Sequence, residues 1–308
     1  MADRRPILVT GSHRSGTGWV GEMLAASPDP RLAYIWEPFS PVARPGICPA
    51  PFERWFAYVT AENEGPYVRP ISDMLAYRYH PHHELRSIRS PKDVGRFVRD
   101  WSVVSRRRRT QPVPLLKDPI AIFSAPWLAE RFDARVLVLI RHPAAFTQSL
   151  LAKRWRHPFE DFLAQPLMMR DLFADRVDEI RRFAGVEQPL LEQSILLWNL
   201  IHEQIVRFRD AHGEWLFRRH EDLSRDAIPE FRDLYRRFSL TWTDETERVV
   251  REHSGAGNPE VTADAASHRR DSAKATTAWK RRLDPDQIAR VREATEPTWR
   301  AFYSDGDW

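Results

Sequence analysis

Pro6-Ile7-Leu8-Val9-Thr10-Gly11-Ser12-His13-Arg14-Ser15-Gly16-Thr17-Gly18-Trp19 is the stretch on which the fold turns. A short apolar run enters a glycine-bearing turn and leaves it as the start of an amphipathic segment. Such a strand–turn–helix junction aims backbone N–H groups and a helix dipole at an anion. The spacing Gly11-x4-Gly16 echoes the phosphate loop of nucleoside triphosphatases. That loop would continue with Lys-Ser/Thr, whereas Thr17-Gly18 follow here and the cation lies inside the loop, at Arg14. The missing lysine and metal-binding hydroxyl argue against ATP or GTP chemistry. A P-loop kinase and a non-catalytic nucleotide- or RNA-binding module remain as alternatives.

Working outward, short apolar runs alternate with helical patterns. The runs at 6–10, 32–36, 113–116, 134–140 and 214–217 read as strands. Helical patterns follow at about 18–26, 124–132, 144–153 and 225–238. This alternation predicts an α/β fold, a P-loop-type parallel sheet of about five strands flanked by helices. Val136-Leu137-Val138-Leu139-Ile140 is apolar on both faces, as a central parallel strand requires. The stretch 190–212 carries apolar residues at helical spacing and reads as core packing. A final helix is expected over 284–302, with Asp284 as cap and Pro285 in its first turn.

The chain reads as a single domain, 1–308, interrupted by a mostly helical insertion at 41–111 that forms the substrate side. Residues 254–277 are small and polar and read as a long loop. One cysteine, Cys48, excludes an internal disulfide framework and a multi-cysteine zinc site. No apolar run is long enough for a membrane span, and the first residues lack the pattern of a secretory signal. A cytoplasmic location is the expectation. The formal charge is +4, carried almost wholly by arginine. Arginine is the better fork for phosphate-type anions, although such a surface also suits nucleic acid.

The loop resembles the 5′-phosphosulfate loop of the sulfotransferases that use 3′-phosphoadenosine-5′-phosphosulfate (PAPS). Arg14, Ser15, Gly16, Thr17 and Trp19 match that family; His13 varies in it, and Gly18 replaces a second threonine. A second motif agrees. Arg141 ends the 134–140 run, and Ser149 follows eight residues later. In the resembled family such an Arg-x7-Ser pair holds the nucleotide 3′-phosphate, the group that separates PAPS from ATP. Lys153, one turn further along the same helix face, adds charge. Lys117-Asp118-Pro119 resembles the tyrosylprotein sulfotransferases, whose lysine faces the transferred group. His220-Glu221-Asp222-Leu223 resembles a Tyr-Glu-Asp/Gln-Leu segment, with His220 standing where an aromatic touches the adenine side. The segment 267–280 resembles a nucleotide-closing loop, which implies roles for Arg269, Arg270 and Ser272.

The resemblance implies sulfuryl transfer from PAPS to an acceptor hydroxyl, releasing adenosine 3′,5′-bisphosphate (PAP). Arg14 and Lys117 are then the cations, and no metal is needed, because the transferred group carries less charge than a γ-phosphoryl. For the base, Glu37 directly follows the 32–36 run and stands where related branches carry a catalytic glutamate; Asp118 is the second choice. Gly18 offers its backbone N–H to the phosphate. His80-Pro81-His82-His83 lacks the carboxylate or cysteine partners of a metal site. Arg106 to Arg109 reads as a solvated face, or as an acidic-substrate or nucleic-acid contact. Trp36, Trp55 and Trp155 are candidates for an aromatic acceptor pocket. The acceptor is expected to be a small molecule, natural product, lipid or sugar, in a bacterial chain that binds no nucleic acid.

Overall fold

The computed structural model describes residues 3–42, 44–255 and 272–308. Five strands form one sheet: β1 (Ile7–Gly11), β2 (Leu32–Trp36), β3 (Val113–Lys117), β4 (Arg135–Ile140) and β5 (Leu216–Arg219). Their order is β2-β3-β1-β4-β5, and every neighbouring pair is parallel. Parallel pairing demands crossovers, which the intervening helices supply. They are α1 (Thr17–Ala25), then α2 (Gly65–Leu75), α3 (Pro81–Ser87) and α4 (Pro91–Thr110) before β3. α5 (Ala125–Phe132) precedes β4, and α6 (Pro143–Lys153) follows it. Next come α7 (Glu160–Leu163), α8 (Pro166–Asp171), α9 (Val177–Gly185) and α10 (Leu190–Ala211). After β5 come α11 (His220–Arg225), α12 (Ala227–Arg237), α13 (Asp244–Ser254), α14 (Ser272–Thr277), α15 (Trp279–Arg282) and α16 (Pro285–Ala294).

Strand alternation sorts the core into two layers. Leu8, Ile35, Leu116, Val136 and Val138 face one side, against Phe123, Phe146, Trp198 and Ile201. Ile7, Val9, Leu115, Leu137 and Leu139 face the other, against Val20, Leu24, Phe231 and Tyr235. A sheet covered on both faces leaves its carboxyl edge as the open place for a ligand. The register aligns that edge. Lys117 pairs with Val9 and with Trp36, Gly11 with Leu139, and Ile140 with Arg219. Ser12, Glu37, Asp118, Arg141 and His220 each follow a strand end and therefore gather on one rim.

The helical pattern at 225–238 is α12, while His220, just past β5, opens the short helix α11, which the pattern did not include. One expectation about helices needs correction. The last helix stops at Ala294, not 302; Pro297, lacking an N–H, cannot continue the ladder, and a 3-10 turn takes Thr298–Ala301. Its start is as read: Asp284 Oδ1 accepts from the Gln287 N–H at 2.8 Å. α7 and α8 went unread because helices of 4 and 6 residues are too short to show a period, whereas α9 has a one-sided apolar pattern that was missed. Among the described residues no helix is long and apolar enough to cross a membrane.

Candidate active site

The loop between β1 and α1 depends on two glycines for its shape. Gly11 has φ +136°, and a Cβ there would lie 2.2 Å from the Leu139 carbonyl oxygen. Gly16 has φ +90°, and its Cβ would lie 2.5 Å from His220 Nδ1. Arg14 takes a left-handed turn without being glycine, at φ +65°. Such a backbone persists only where its surroundings hold it. Below the loop, His13 is buried against Phe146 and Trp155, with ring centroids 5.0 and 4.8 Å away. Burial pushes its pKa down to about 3, so the ring is a neutral anchor. Trp19 packs edge-on against His220 and Phe231. The Ser12 and Ser15 hydroxyls are buried and lack a hydrogen-bond partner among the described residues. An anion accepting from them is the fit that such orphaned donors call for.

Arg14, Arg141 and Ser149 come together. Arg141 Nη1 donates to the Arg14 carbonyl oxygen. Arg14 Nε donates to Ser149 Oγ at 3.0 Å. Arg14 therefore reaches across the sheet edge to the Arg141 side. The Arg141 backbone is pinned in turn. Its carbonyl accepts from Trp198 Nε1 at 2.9 Å. The next N–H, of His142, donates to Glu221 Oε1 at 3.2 Å, and Tyr303 Oη donates to Glu221 Oε2 at 2.9 Å. Burial raises the Glu221 pKa, against the pull of Arg141. The His142 ring stacks on Trp279 at 4.8 Å. Lys153 is on the same helix as Ser149 but exposed. Arg269 and Arg270 lie outside the described residues. The Ser272 backbone opens α14, while its side chain is outside what is described.

Across the rim, Lys117 Nζ forms an ion pair with Glu37 Oε1. Lys117 is buried, and its ammonium stands 5.2 Å from the centre of the Trp36 ring. Gly21 of α1 makes room for it, since a Cβ there would meet the Lys117 Cγ at 3.3 Å and the Tyr34 ring at 2.7 Å. Glu37 holds φ +39°, and its N–H donates to the Lys117 carbonyl at 2.9 Å. Asp118 secures the same turn. Its Oδ2 accepts from the Phe39 N–H at 2.7 Å and its Oδ1 from the Ile120 N–H at 3.1 Å. Burial, reinforced by Glu37, pushes its pKa up to about 7 against those two bonds and Lys117. With no exposure and both oxygens engaged, Asp118 positions Glu37 and is poorly placed to meet an acceptor.

Beside Glu37 opens a cavity of about 210 Å³. Its walls come from the end of β2, from residues 40–52 and from one face of α4. Trp36 lines it; Trp55 and Trp155 instead border a smaller space next to His13. Of the arginine run, Arg107 turns toward the cavity while Arg106, Arg108 and Arg109 are exposed. His80 faces Asp73 at 3.5 Å, and among the described residues no three metal-ligating groups converge.

Sequence reasoning missed the residues that position others. Trp198 was read only as core, and only tertiary structure reveals that its indole N–H meets a strand-end carbonyl. Glu221 and Tyr303 lie 82 residues apart in the chain, with no spacing to connect them. Gly21 sits inside a helical pattern, where an unexplained glycine was the one available signal.

A family model described as "Sulfotransferase family" matches residues 6–183. No curated protein matches the chain. Among solved structures, the sulfotransferase domain from the curacin biosynthetic pathway aligns with TM-score 0.47 at 14% identity, over 95% of this chain and 98% of that one. Mouse sulfotransferase SULT7A1 complexed with PAP aligns with TM-score 0.45 at 12% identity, over 99% and 87%. Sulfotransferase STF1 from Mycobacterium tuberculosis aligns with TM-score 0.43 at 17% identity, over 96% and 77%. The match to the family model spans the phosphate loop, Glu37, Lys117, Arg141 and Ser149, and the chain belongs to the sulfotransferase family.

Proposed function

We propose that the protein transfers the sulfuryl group of PAPS to the hydroxyl of a small-molecule acceptor and releases PAP. The observation that carries this reading is the convergence of Arg141 and Ser149 on Arg14 of the phosphate loop. It supplies a second anion site beside the first, which a 3′-phosphate uses and ATP does not. Ser12 and Ser15, the loop N–H groups, Thr17 and Gly18 hold the 5′-phosphosulfate. His220 and Trp19 flank the loop on the nucleotide side, with Lys153 and the 269–272 segment adding contacts.

In the transfer, the acceptor oxygen bonds to sulfur as the sulfur–oxygen bond to the phosphate breaks, in line and through a loose transition state. The acceptor proton passes to Glu37. Lys117 offsets the charge gathering on the leaving oxygen. The ion pair between Lys117 and Glu37 is then a resting state, which opens when Lys117 turns to the donor and frees the carboxylate. No metal is needed. Residues 41–111 form the acceptor side of this one domain, which the lining of the cavity supports. A cytoplasmic, bacterial enzyme fits the single cysteine and the arginine-rich composition.

Two measurements test this. PAP should raise the melting temperature, and ATP with Mg²⁺ should not; the reverse outcome is that of a P-loop kinase and ends this reading. Glu37→Gln should bind PAP as the wild type does and lose about 10²–10⁴-fold in turnover, the usual worth of a positioned base. Unchanged turnover would remove Glu37 from the mechanism.

A further inference from the structure

The cavity beside Glu37 has a direction. β2 and β3 are parallel, so the chain between them must return to the amino edge of the sheet. α4 makes that return, ending at Thr110 just before β3 begins at Val113. Its amino-terminal half therefore lies toward the rim and its carboxyl-terminal half lies deep. Asp100, Val103, Val104 and Arg107 all line the cavity, and their spacing puts them on one helix face. Arg107 is the deepest of the four, about 10 Å below Asp100 at the helical rise per residue. β2 gives the same measure. Arg107 Nη2 donates to the Tyr34 carbonyl at 3.1 Å. Tyr34 precedes Glu37 by three residues, about 10 Å of strand.

The two ends differ in chemistry. At the rim stand Glu37 and Asp100, the latter held by Arg99 Nε at 3.0 Å. Arg44 is exposed there, lying over the face of Trp36 at 5.4 Å. The walls between are apolar, with Val103, Val104 and Phe52. At the floor is Arg107, half-buried, whose one side-chain hydrogen bond among the described residues goes to the Tyr34 carbonyl. Among the described residues it has no carboxylate partner within ion-pair reach. Burial presses its pKa below the ordinary arginine value. A guanidinium that has given up water, and has donors to spare, calls for an anion.

We infer that the acceptor is an amphipathic hydroxy acid: its hydroxyl lies at Glu37, an apolar body fills the cavity, and its carboxylate pairs with Arg107 about 10 Å away. This rests on Glu37 marking the reacting end. Arg107 is then the residue that selects the acceptor. Of the run Arg106 to Arg109, this side chain alone lines the cavity, the other three being exposed.

The probes are straight-chain ω-hydroxy carboxylates of about six to twelve carbons, the lengths that bridge such a gap, each compared with the diol of equal length. Sulfation is followed by PAP release with PAPS as donor. The wild type should favour the best acid over its diol by about ten- to a hundredfold in kcat/KM, the worth of a charge-assisted bond in a half-buried site. Arg107→Met should bring that ratio close to one, mainly through KM of the acid, and Arg107→Lys should keep most of it. A wild type that treats acid and diol alike, or an Arg107→Met that keeps the preference, overturns the inference. If no probe is turned over, melting of the enzyme–PAP complex decides: a shift with the acids that Arg107→Met loses supports the inference, and no shift refutes it. Stabilisation by PAP alone is read in the same experiment. Its loss would strike the donor assignment, whereas its presence with a failed acid preference would strike only Arg107.

Discussion

Replacing Gly16 with alanine tests the phosphate loop most directly. The residue holds φ +90°, where a side chain costs about 1 kcal/mol or more over glycine. The new methyl would lie 2.5 Å from His220 Nδ1 and 2.9 Å from its Cε1. That is roughly 1 Å inside ordinary contact. The imidazole cannot simply withdraw, because it is buried, packs edge-on with Trp19 at 5.9 Å and meets Ser224 Oγ at 3.4 Å. Overpacking of this kind adds about 1–3 kcal/mol. Together the two effects remove about 2–4 kcal/mol, enough to lower the melting temperature by about 3–6 °C in a chain of this size. The loop amides move with the methyl, so PAP should bind at least about tenfold more weakly by calorimetry. A double-mutant cycle separates the two effects. His220→Ala in the Gly16→Ala background relieves the overlap but not the backbone strain, giving a coupling of about 1–3 kcal/mol. A Gly16→Ala protein that melts within about 1 °C of wild type, with no coupling to His220, would refute this account of the loop.

Two further outcomes follow from the rim. Arg141→Ala should weaken PAP by about tenfold or more while leaving the much weaker binding of adenosine 5′-phosphosulfate, which lacks the 3′-phosphate, nearly unchanged; equal losses for both ligands would mean that Arg141 only supports the loop. Asp118 gives a pH signature. Its folded pKa of about 7 lies above the unfolded carboxylate value, so the native state holds the proton across that interval and stability falls as pH rises through it. The advantage of wild type over Asp118→Asn in denaturant midpoint should therefore be largest near pH 4 and shrink toward pH 7; parallel curves would contradict it.

The sheet was legible because its signals are local. Val136 to Ile140 is apolar on both faces, and only a central parallel strand has that need. The gathering of Glu37, Lys117 and Arg141 could be anticipated for the same reason: each sits at or just past a strand end, and a parallel sheet brings those ends to one edge. Side-chain partnerships were not legible. Arg14 could be read as a loop cation, but not as the partner of Ser149, 135 residues away. Asp118 could be weighed as a base. Only its burial and its bond to the Phe39 N–H, from another strand's turn, decide for positioning. The cavity was least legible of all. Its walls come from 40–52, which is irregular, and from one face of a helix whose polar outer face dominates the composition.

The anchoring of Glu37 has a consequence for how such an enzyme diversifies. Its backbone is tied to the Lys117 carbonyl, and the turn that follows is tied to the Asp118 carboxylate; both belong to β3 and its exit. On the proposed mechanism the reacting carboxylate is thus held by the sheet, while α4 supplies a wall of the cavity beside it. Substitutions along Val103, Val104 and Arg107 should then reshape what enters without shifting the group that meets it. On that reading chemistry and taste are mechanically separate, and new acceptors can be sought on one helix face with the rim left untouched.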